Sequence, residues 1–437
     1  MNKLKKVKMS DFPNKNKQPF YIILLLILAG EAAFILPFVL ARVFRPTVLD
    51  VFNLTNLELG TCFSVYGIVA FISYLLGGSL ADKFQPKNLM AVALILTSLG
   101  GLVMATYPSY GTLKVLYGYW GFTTIFLFWA AMIKAARVWG GTNKQGIAFG
   151  FLDGGRGLVA AGFGSIGVLI FSFFITSEIN TANLVERKEA FRCVVLISSA
   201  IIASIGVLIF FFLKLKNTDE KPIPIVSRSL LLLNYKTAIK IPAVWLLMVI
   251  ILCAYVGYKI TDVFSLYAKE VMLYDEIKAA EVGTFMLYIR PIIGVSIGLL
   301  ADRTKTSIMM ILSFIVMLIG ALLFASGHIE SNQGILFFLS LIITATGVYA
   351  FRTLYFAAME EGAIPLAVTG TAVGLISLVG YTPDIFAGPA MGYLLDNNPG
   401  KLGHQHVFIM LSIFSLIGLI ASIWFYRIAK TPIRKKY

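Results

Sequence analysis

Apolar runs of about 20 residues, each long enough to cross about 30 Å of hydrocarbon, recur along the whole 437-residue sequence. The first extends from Phe20 to about Val43, and later ones fall near 58–81, 88–107, 113–138, 146–175, 191–213, 243–268, 280–301, 307–327, 334–361, 367–395 and 406–428. Twelve such runs imply an all-α membrane protein, since a backbone in lipid must satisfy its N–H and C=O groups internally. Composition agrees: 58% hydrophobic and 14% charged residues leave too little polar surface to cover a soluble protein of this length. The net charge of +15 lies in short loops and two tails, with no arginine–aromatic groove, so it orients the chain and excludes nucleic acid as the partner.

The polar segment Met1 to Gln18 carries Lys3, Lys5, Lys6, Lys8, Lys15 and Lys17. The apolar run behind it is too long for a cleaved signal peptide and is expected to be the first span. Lys83, Lys87, Arg137, Lys144, Arg303, Lys305 and the tail from Arg427 to Lys436 all fall on the side of that basic segment. The opposite loops, Tyr107 to Thr112 and Ser326 to Gly334, are poor in bases, so both termini are expected in the cytoplasm. The longest interior polar stretch follows the sixth run. It divides the chain into a tail (1–18), a six-helix bundle (19–213), a cytoplasmic linker (214–242), a second six-helix bundle (243–428) and a tail (429–437). Glu58-Leu59-Gly60-Thr61 returns as Glu281-Val282-Gly283-Thr284, and Phe128-Trp129-Ala130-Ala131-Met132 as Tyr355-Phe356-Ala357-Ala358-Met359. Two pseudo-symmetric bundles with a binding site between them at mid-depth are implied.

The second run ends in Gly77-Gly78-Ser79-Leu80-Ala81-Asp82-Lys83-Phe84-Gln85-Pro86-Lys87, and the eighth in Gly298-Leu299-Leu300-Ala301-Asp302-Arg303-Thr304-Lys305. Glycine permits close approach of a neighbouring helix, and a carboxylate at the membrane exit beside bases can make a clamp in one conformation and break it in another. Here the chain resembles the major facilitator superfamily, whose loop motif reads Gly-x-x-x-Asp-Arg/Lys-x-Gly-x-Arg/Lys. Gly78, Asp82 and Lys83 match, Gln85 replaces the second glycine, and Lys87 supplies the trailing base. Gly298, Asp302 and Arg303 form the second copy. The resemblance implies transport by alternating access, with Gly78, Asp82, Lys83, Gly298, Asp302 and Arg303 in gating.

The chemistry of such a chain shows as ionisable groups inside the spans, each costing several kcal/mol unless paired or wetted. Glu31, Lys134, Asp153, Arg156, Lys259, Asp262, Arg290, Arg352 and Asp384 lie deep enough to count, five bases against four acids. Arg156, set among Gly154, Gly155 and Gly157, either reaches a solute or pairs with Asp153 three residues away. Arg290 and Arg352 have aromatic neighbours and together suit a carboxylate, sulfonate or phosphate; static pairing with Asp384 or Asp262 is the rival. With Lys259, Tyr288, Tyr355 and Tyr381 they complete the substrate-binding candidates, and Tyr66, Trp129 and Tyr258 are placed to line the same cavity. Glu31 is the first candidate for proton coupling and Asp384, behind Pro383, the second, with Asp153 and Asp262 beside them. Lys259 and Asp262 share a helix face and can simply pair. Lys134 is expected to reach water at the cytoplasmic end.

No metal site, cofactor or catalytic constellation accompanies these charges: His328, His404 and His406 are expected in external loops, and Cys62, Cys193 and Cys253 read as buried thiols. Organophosphate antiporters of the resembled family carry arginines in the first and seventh spans, where this sequence has Glu31 and Lys259. The reading is therefore a monomeric, proton-coupled transporter of a small organic anion such as a sugar acid, in a bacterial inner membrane, and no enzyme. A carrier or exporter of a zwitterionic or siderophore-like solute, and a non-transporting sensor on the same fold, stay open.

Overall fold

The computed structural model describes residues 18–141, 145–175, 183–215, 235–301, 303–354, 358–365 and 368–430. Among the described residues, regular structure is helical throughout, and twelve segments are long and apolar enough to span a bilayer. They are α1 (Phe20–Val43), α2 (Asn56–Lys83), α3 (Pro86–Met104), α4 (Tyr110–Gly140), α5 (Gln145–Phe174), α6 (Leu184–Phe212), α7 (Pro242–Glu270), α8 (Glu276–Ala301), α9 (Thr306–Ala325), α10 (Gly334–Leu354), α11 and α12 (Lys401–Lys430). The run expected near 334–361 is helical over Gly334–Leu354 and again over Ala358–Glu361, with 355–357 outside the described residues. The run expected near 367–395 differs from expectation: α11 consists of two helices, Thr369–Gly380 and Pro383–Asn397, parted at Tyr381 and Thr382. Pro383 cannot donate to a continuing ladder, so the second helix starts afresh there.

The sequence marks the helix ends with ordinary capping chemistry. Thr55 Oγ1 accepts from the Glu58 amide at 3.1 Å while Glu58 Oε2 accepts from the Thr55 amide at 2.9 Å, a reciprocal cap that starts α2. Asn183 starts α6 and Asp275 starts α8 in the same way, their side chains accepting at 2.9 and 2.8 Å. Prolines occupy the first turns of α3 and α7. Two π-helical stretches interrupt the ladder, Ile35–Val39 around Pro37 in α1 and Phe122–Trp129 in α4.

Helices α1–α6 pack as one group and α7–α12 as another, and the groups meet along α2 against α11 and α5 against α8. Small residues make the meeting close: a Cβ on Gly60 would fall 2.3 Å from the Gly388 carbonyl oxygen, and one on Gly392 2.5 Å from the backbone of Asn56. Polar cross-links gather at the end opposite the chain termini. Arg187 binds Asp50 at 2.6 Å and Glu276 at 2.5 Å, Ser265 donates to the Arg42 carbonyl at 2.7 Å, and the Asp396 carboxylate accepts from the amides of Asn56 and Leu57.

Two histidines lie elsewhere than expected. His404 and His406 belong to α12, and buried His404 joins Glu270 through Nε2 at 2.8 Å; His328 is in an exposed turn. Cys62 and Cys253 are buried and Cys193 is half-buried at the start of α6. Residues 216–234 of the linker and most of both tails, 1–17 and 431–437, lie outside the described residues.

Candidate functional site

Where the two bundles face each other, from the middle of the spans toward the end opposite the termini, nine charged side chains form two joined networks. The first begins at Glu31 in α1. Gly30 beside it clears a path for the Arg156 side chain from α5, since a Cβ there would meet Arg156 Cδ at 3.2 Å and Met132 Sδ at 2.9 Å. Arg156 Nε then reaches Glu31 Oε2 at 3.0 Å, with its guanidinium over the rings of Phe34 (5.3 Å) and Trp129 (5.5 Å). Gly157 does the same for α8, whose Arg290 and Pro291 side chains would touch a Cβ there at 3.5 and 3.1 Å. Arg290 bridges the bundles, Nη2 to Asp153 Oδ1 at 3.1 Å and Nη1 to Glu31 Oε1 at 3.9 Å. Arg352 from α10 approaches the same Asp153 oxygen at 3.6 Å. Among the described residues, three guanidiniums thus share two carboxylates, three positive charges against two negative.

The second network is balanced. Arg42 Nε, near the end of α1, binds Asp262 Oδ1 of α7 at 2.6 Å, a buried cross-bundle pair. Lys259 Nζ lies 3.7 Å from Asp262 Oδ2 and 3.3 Å from Asp384 Oδ1, above the Phe38 ring at 4.5 Å. Tyr255 donates its hydroxyl to both Asp384 oxygens at 3.1 Å. Tyr258 joins the networks: its ring is flanked by the Arg42 guanidinium at 4.8 Å and the Arg352 guanidinium at 4.4 Å. Glu31, Arg42, Arg156, Lys259, Asp262 and Arg290 are buried, whereas the Asp153 side chain is 39% exposed and that of Asp384 17%. Asp153 and Asp384 are therefore the two more exposed acids of the cluster.

Several sequence expectations change partners. Asp153 and Arg156, three residues apart, do not pair with each other; each turns to a different neighbouring helix. Arg290 and Arg352 both find Asp153 instead of Asp384 or Asp262. Lys134 does not run to water but donates to the Ala81 carbonyl at 2.8 Å, tying α4 to the end of α2. Tyr288 sits about 200° around the helix from Arg290, faces away from the cluster and meets Ser165 at 2.9 Å. Tyr381 stays beside it, its ring edge-on to Tyr255 at 4.9 Å, and Tyr66 is buried with its hydroxyl 2.7 Å from Thr124. Tyr355 and Asp302 lie outside the described residues, as do the side chain of Asp82 and the surroundings of Gly78. Lys83 and Arg303 are exposed, and Gly298 faces Thr353, where a Cβ would stand 3.6 Å away.

Arg42 and Tyr255 escaped the sequence reading. Arg42 stands within two residues of the apparent end of its span, where a base ordinarily reaches headgroups, and Tyr255 is one helical turn before Lys259 in a run rich in aromatics. Arg42 takes the place of Lys134 in the tally of buried bases, so the central count of five bases and four acids stands with different members.

Known proteins share this architecture. The sequence is 28% identical over 395 residues to the inner membrane protein YqcE of Escherichia coli, covering 87% of this chain and 88% of that one. It is 26% identical over 413 residues to the inner membrane protein YihN of the same organism, covering 93% and 95%. The crystal structure of a bacterial homolog of the human lysosomal transporter Spinster, inward-facing and occupied, is similar with TM-score 0.71 at 14% identity, over 93% of this chain and 96% of that chain. The nucleoside transporter NupG gives TM-score 0.72 at 16% identity, over 93% and 100%. The sequence model of the Major Facilitator Superfamily matches residues 21–387, and with twelve spans in two bundles around a charged centre the chain belongs to that superfamily.

Proposed function

We propose that this secondary transporter carries a small organic anion by alternating access, coupled to protons, across a bacterial inner membrane. The single observation behind the anion is in the first network. Arg290 and Arg352 converge on one half-exposed carboxylate, Asp153, and this pair of guanidiniums suits a solute carboxylate entering beside it. The relatives named inner membrane proteins support the location, and the bias of bases toward the termini supports a cytoplasmic placement of both. With that orientation, the cross-links at the end opposite the termini close the outer mouth, an inward-facing arrangement like that of the Spinster homolog.

For the proton we favour Asp384 over Glu31. Glu31 lies between two guanidiniums, Asp262 is held by Arg42 and Lys259, and Asp153 by Arg290 and Arg352. Asp384 has one cation and one phenol for partners, so its anion is the least stabilised of the four. Its backbone also lies on the bundle seam, 2.8 Å from where a Cβ on Gly67 would stand, so a change of charge there acts on the contact that must open.

The test is a thermal-shift panel of sugar acids and other carboxylates, then counterflow and pH-driven uptake of the best binder in proteoliposomes. Wild-type uptake is expected to rise as the outside is acidified. Asp384→Asn, a fixed mimic of the protonated acid, is expected to keep counterflow and to lose about 10-fold or more of the pH-driven component. Exchange of neutral solutes with no anion in the panel bound would overturn the anion, and an unaltered pH response in Asp384→Asn would overturn the proton site.

A further inference from the structure

The closed outer mouth holds a second place built for a negative charge. Helix α2 begins there, and its first two amides donate to the carboxylate of Asp396, Asn56 N to Oδ1 at 3.0 Å and Leu57 N to Oδ2 at 2.7 Å. Asp396 comes from α11, in the other bundle. Arg45 lies on the same helix end: Nε and Nη2 donate to Asn56 Oδ1 at 3.2 and 3.0 Å. Its remaining nitrogen, Nη1, is buried without a partner in a residue that is 1% exposed, and among the described residues no carboxylate is within ion-pair distance of it. Burial pushes the Arg45 guanidinium below its ordinary pKa, while the carboxylates of Asp262, Glu270 and Asp396 pull it back up. A buried guanidinium with a spare donor, beside amides that already hold a carboxylate, has the chemistry of an anion site filled by the protein itself.

We propose that Arg45 and the first turn of α2 form an outer anion site, occupied by Asp396 while the mouth is closed and by the carboxylate of the solute once it opens. Gly392 seats α11 against the backbone of Asn56, so separation of α11 from α2 withdraws Asp396 and leaves the site empty and facing the outside. Asp396 is then an internal competitor: solute binding at the mouth opposes reclosure until the anion moves on to Arg290 and Arg352. The nature of the ligand rests on the anion reading above; the site itself does not.

Acetate serves as the probe, on full-length purified protein, with thermal unfolding as the readout. Asp396→Asn is expected to show a saturable acetate-dependent rise in melting temperature of about 2–4 °C beyond that of wild type. The extra shift is expected to vanish in Asp396→Asn/Arg45→Gln and to persist in Asp396→Asn/Arg352→Gln. Asp396→Glu, which keeps a carboxylate in place, is expected to behave as wild type. An Asp396→Asn protein no more responsive than wild type, or an extra shift that survives Arg45→Gln, overturns the outer site. An extra shift that disappears with Arg352→Gln places the anion in the central chamber, which overturns the outer site and leaves the anion reading intact. Should the central reading fail instead, by the carboxylate panel above, the acetate result at Arg45 is unaffected.

Discussion

Arg290→Ala is expected to reduce counterflow of the transported anion by at least about 100-fold, the scale on which one partner of a buried charge pair is removed from a binding site. Arg290 is the member of the first network that touches both acids, Glu31 at 3.9 Å and Asp153 at 3.1 Å. Without it the network has, among the described residues, two bases and two acids, and the guanidinium pair proposed to hold the anion is gone. Glu31 still keeps Arg156 and Asp153 still keeps Arg352, so no carboxylate is stranded. Loss of stability is therefore expected at the lower end of the about 3–5 kcal/mol seen when a buried pair is broken outright. Arg290→Lys returns the charge without the planar fork and is expected between wild type and Arg290→Ala. Asp153→Asn has the opposite sign: it removes the negative charge on which Arg290 and Arg352 converge and is expected to tighten binding in the thermal-shift assay. Normal counterflow by Arg290→Ala would show that the anion takes another route.

Gly60→Val is expected to hold the outer mouth open. The nearest atoms to a Cβ at Gly60 are the Gly388 oxygen at 2.3 Å, the Gly388 carbonyl carbon at 2.4 Å and the Pro389 nitrogen at 2.8 Å, all backbone. A side chain could step aside; here α11 itself must move. Within one bundle such overpacking costs about 1–3 kcal/mol of folding stability. If the seam opens in the transport cycle, the same strain is relieved by opening, so the conformational equilibrium shifts while each bundle stays folded. The measurement is thiol labelling of Thr47→Cys, a buried position whose hydroxyl faces Glu276 across the seam at 3.4 Å, with Cys62, Cys193 and Cys253 replaced by Ser. Labelling is expected to rise about 10-fold, equivalent to about 1.4 kcal/mol in the closed–open balance, and counterflow to fall. Gly154→Ala is the control: nothing lies within 4 Å of a Cβ there, and neither readout is expected to change. Unaltered labelling in Gly60→Val would mean that α2 and α11 do not part in the cycle.

The corrections among the charged residues have a common cause. Asp153 and Arg156 are spaced as a helical pair, and on an isolated helix they would bind each other. Between bundles each finds a better partner on another helix, because Gly30 and Gly157 bring α1 and α8 within reach of α5. Lys134 shows the same effect, since the approach of α2 offers it the Ala81 carbonyl before water. Arg42, at the end of its span, is buried because α7 places Asp262 2.6 Å away.

What the sequence determined by itself is whatever depends on short stretches of chain: twelve spans, two halves with one plan, the side on which the bases collect, and the presence of costly charge at mid-depth. Run length and local capping govern these, and both can be read along the chain. The partners of each charge, the break in α11 that frees Asp384, and the Asp396 carboxylate on the far end of α2 were decided only by tertiary structure. They depend on how each helix is rotated about its axis and how closely its neighbours approach, and that is set by packing between residues 125 to 340 positions apart.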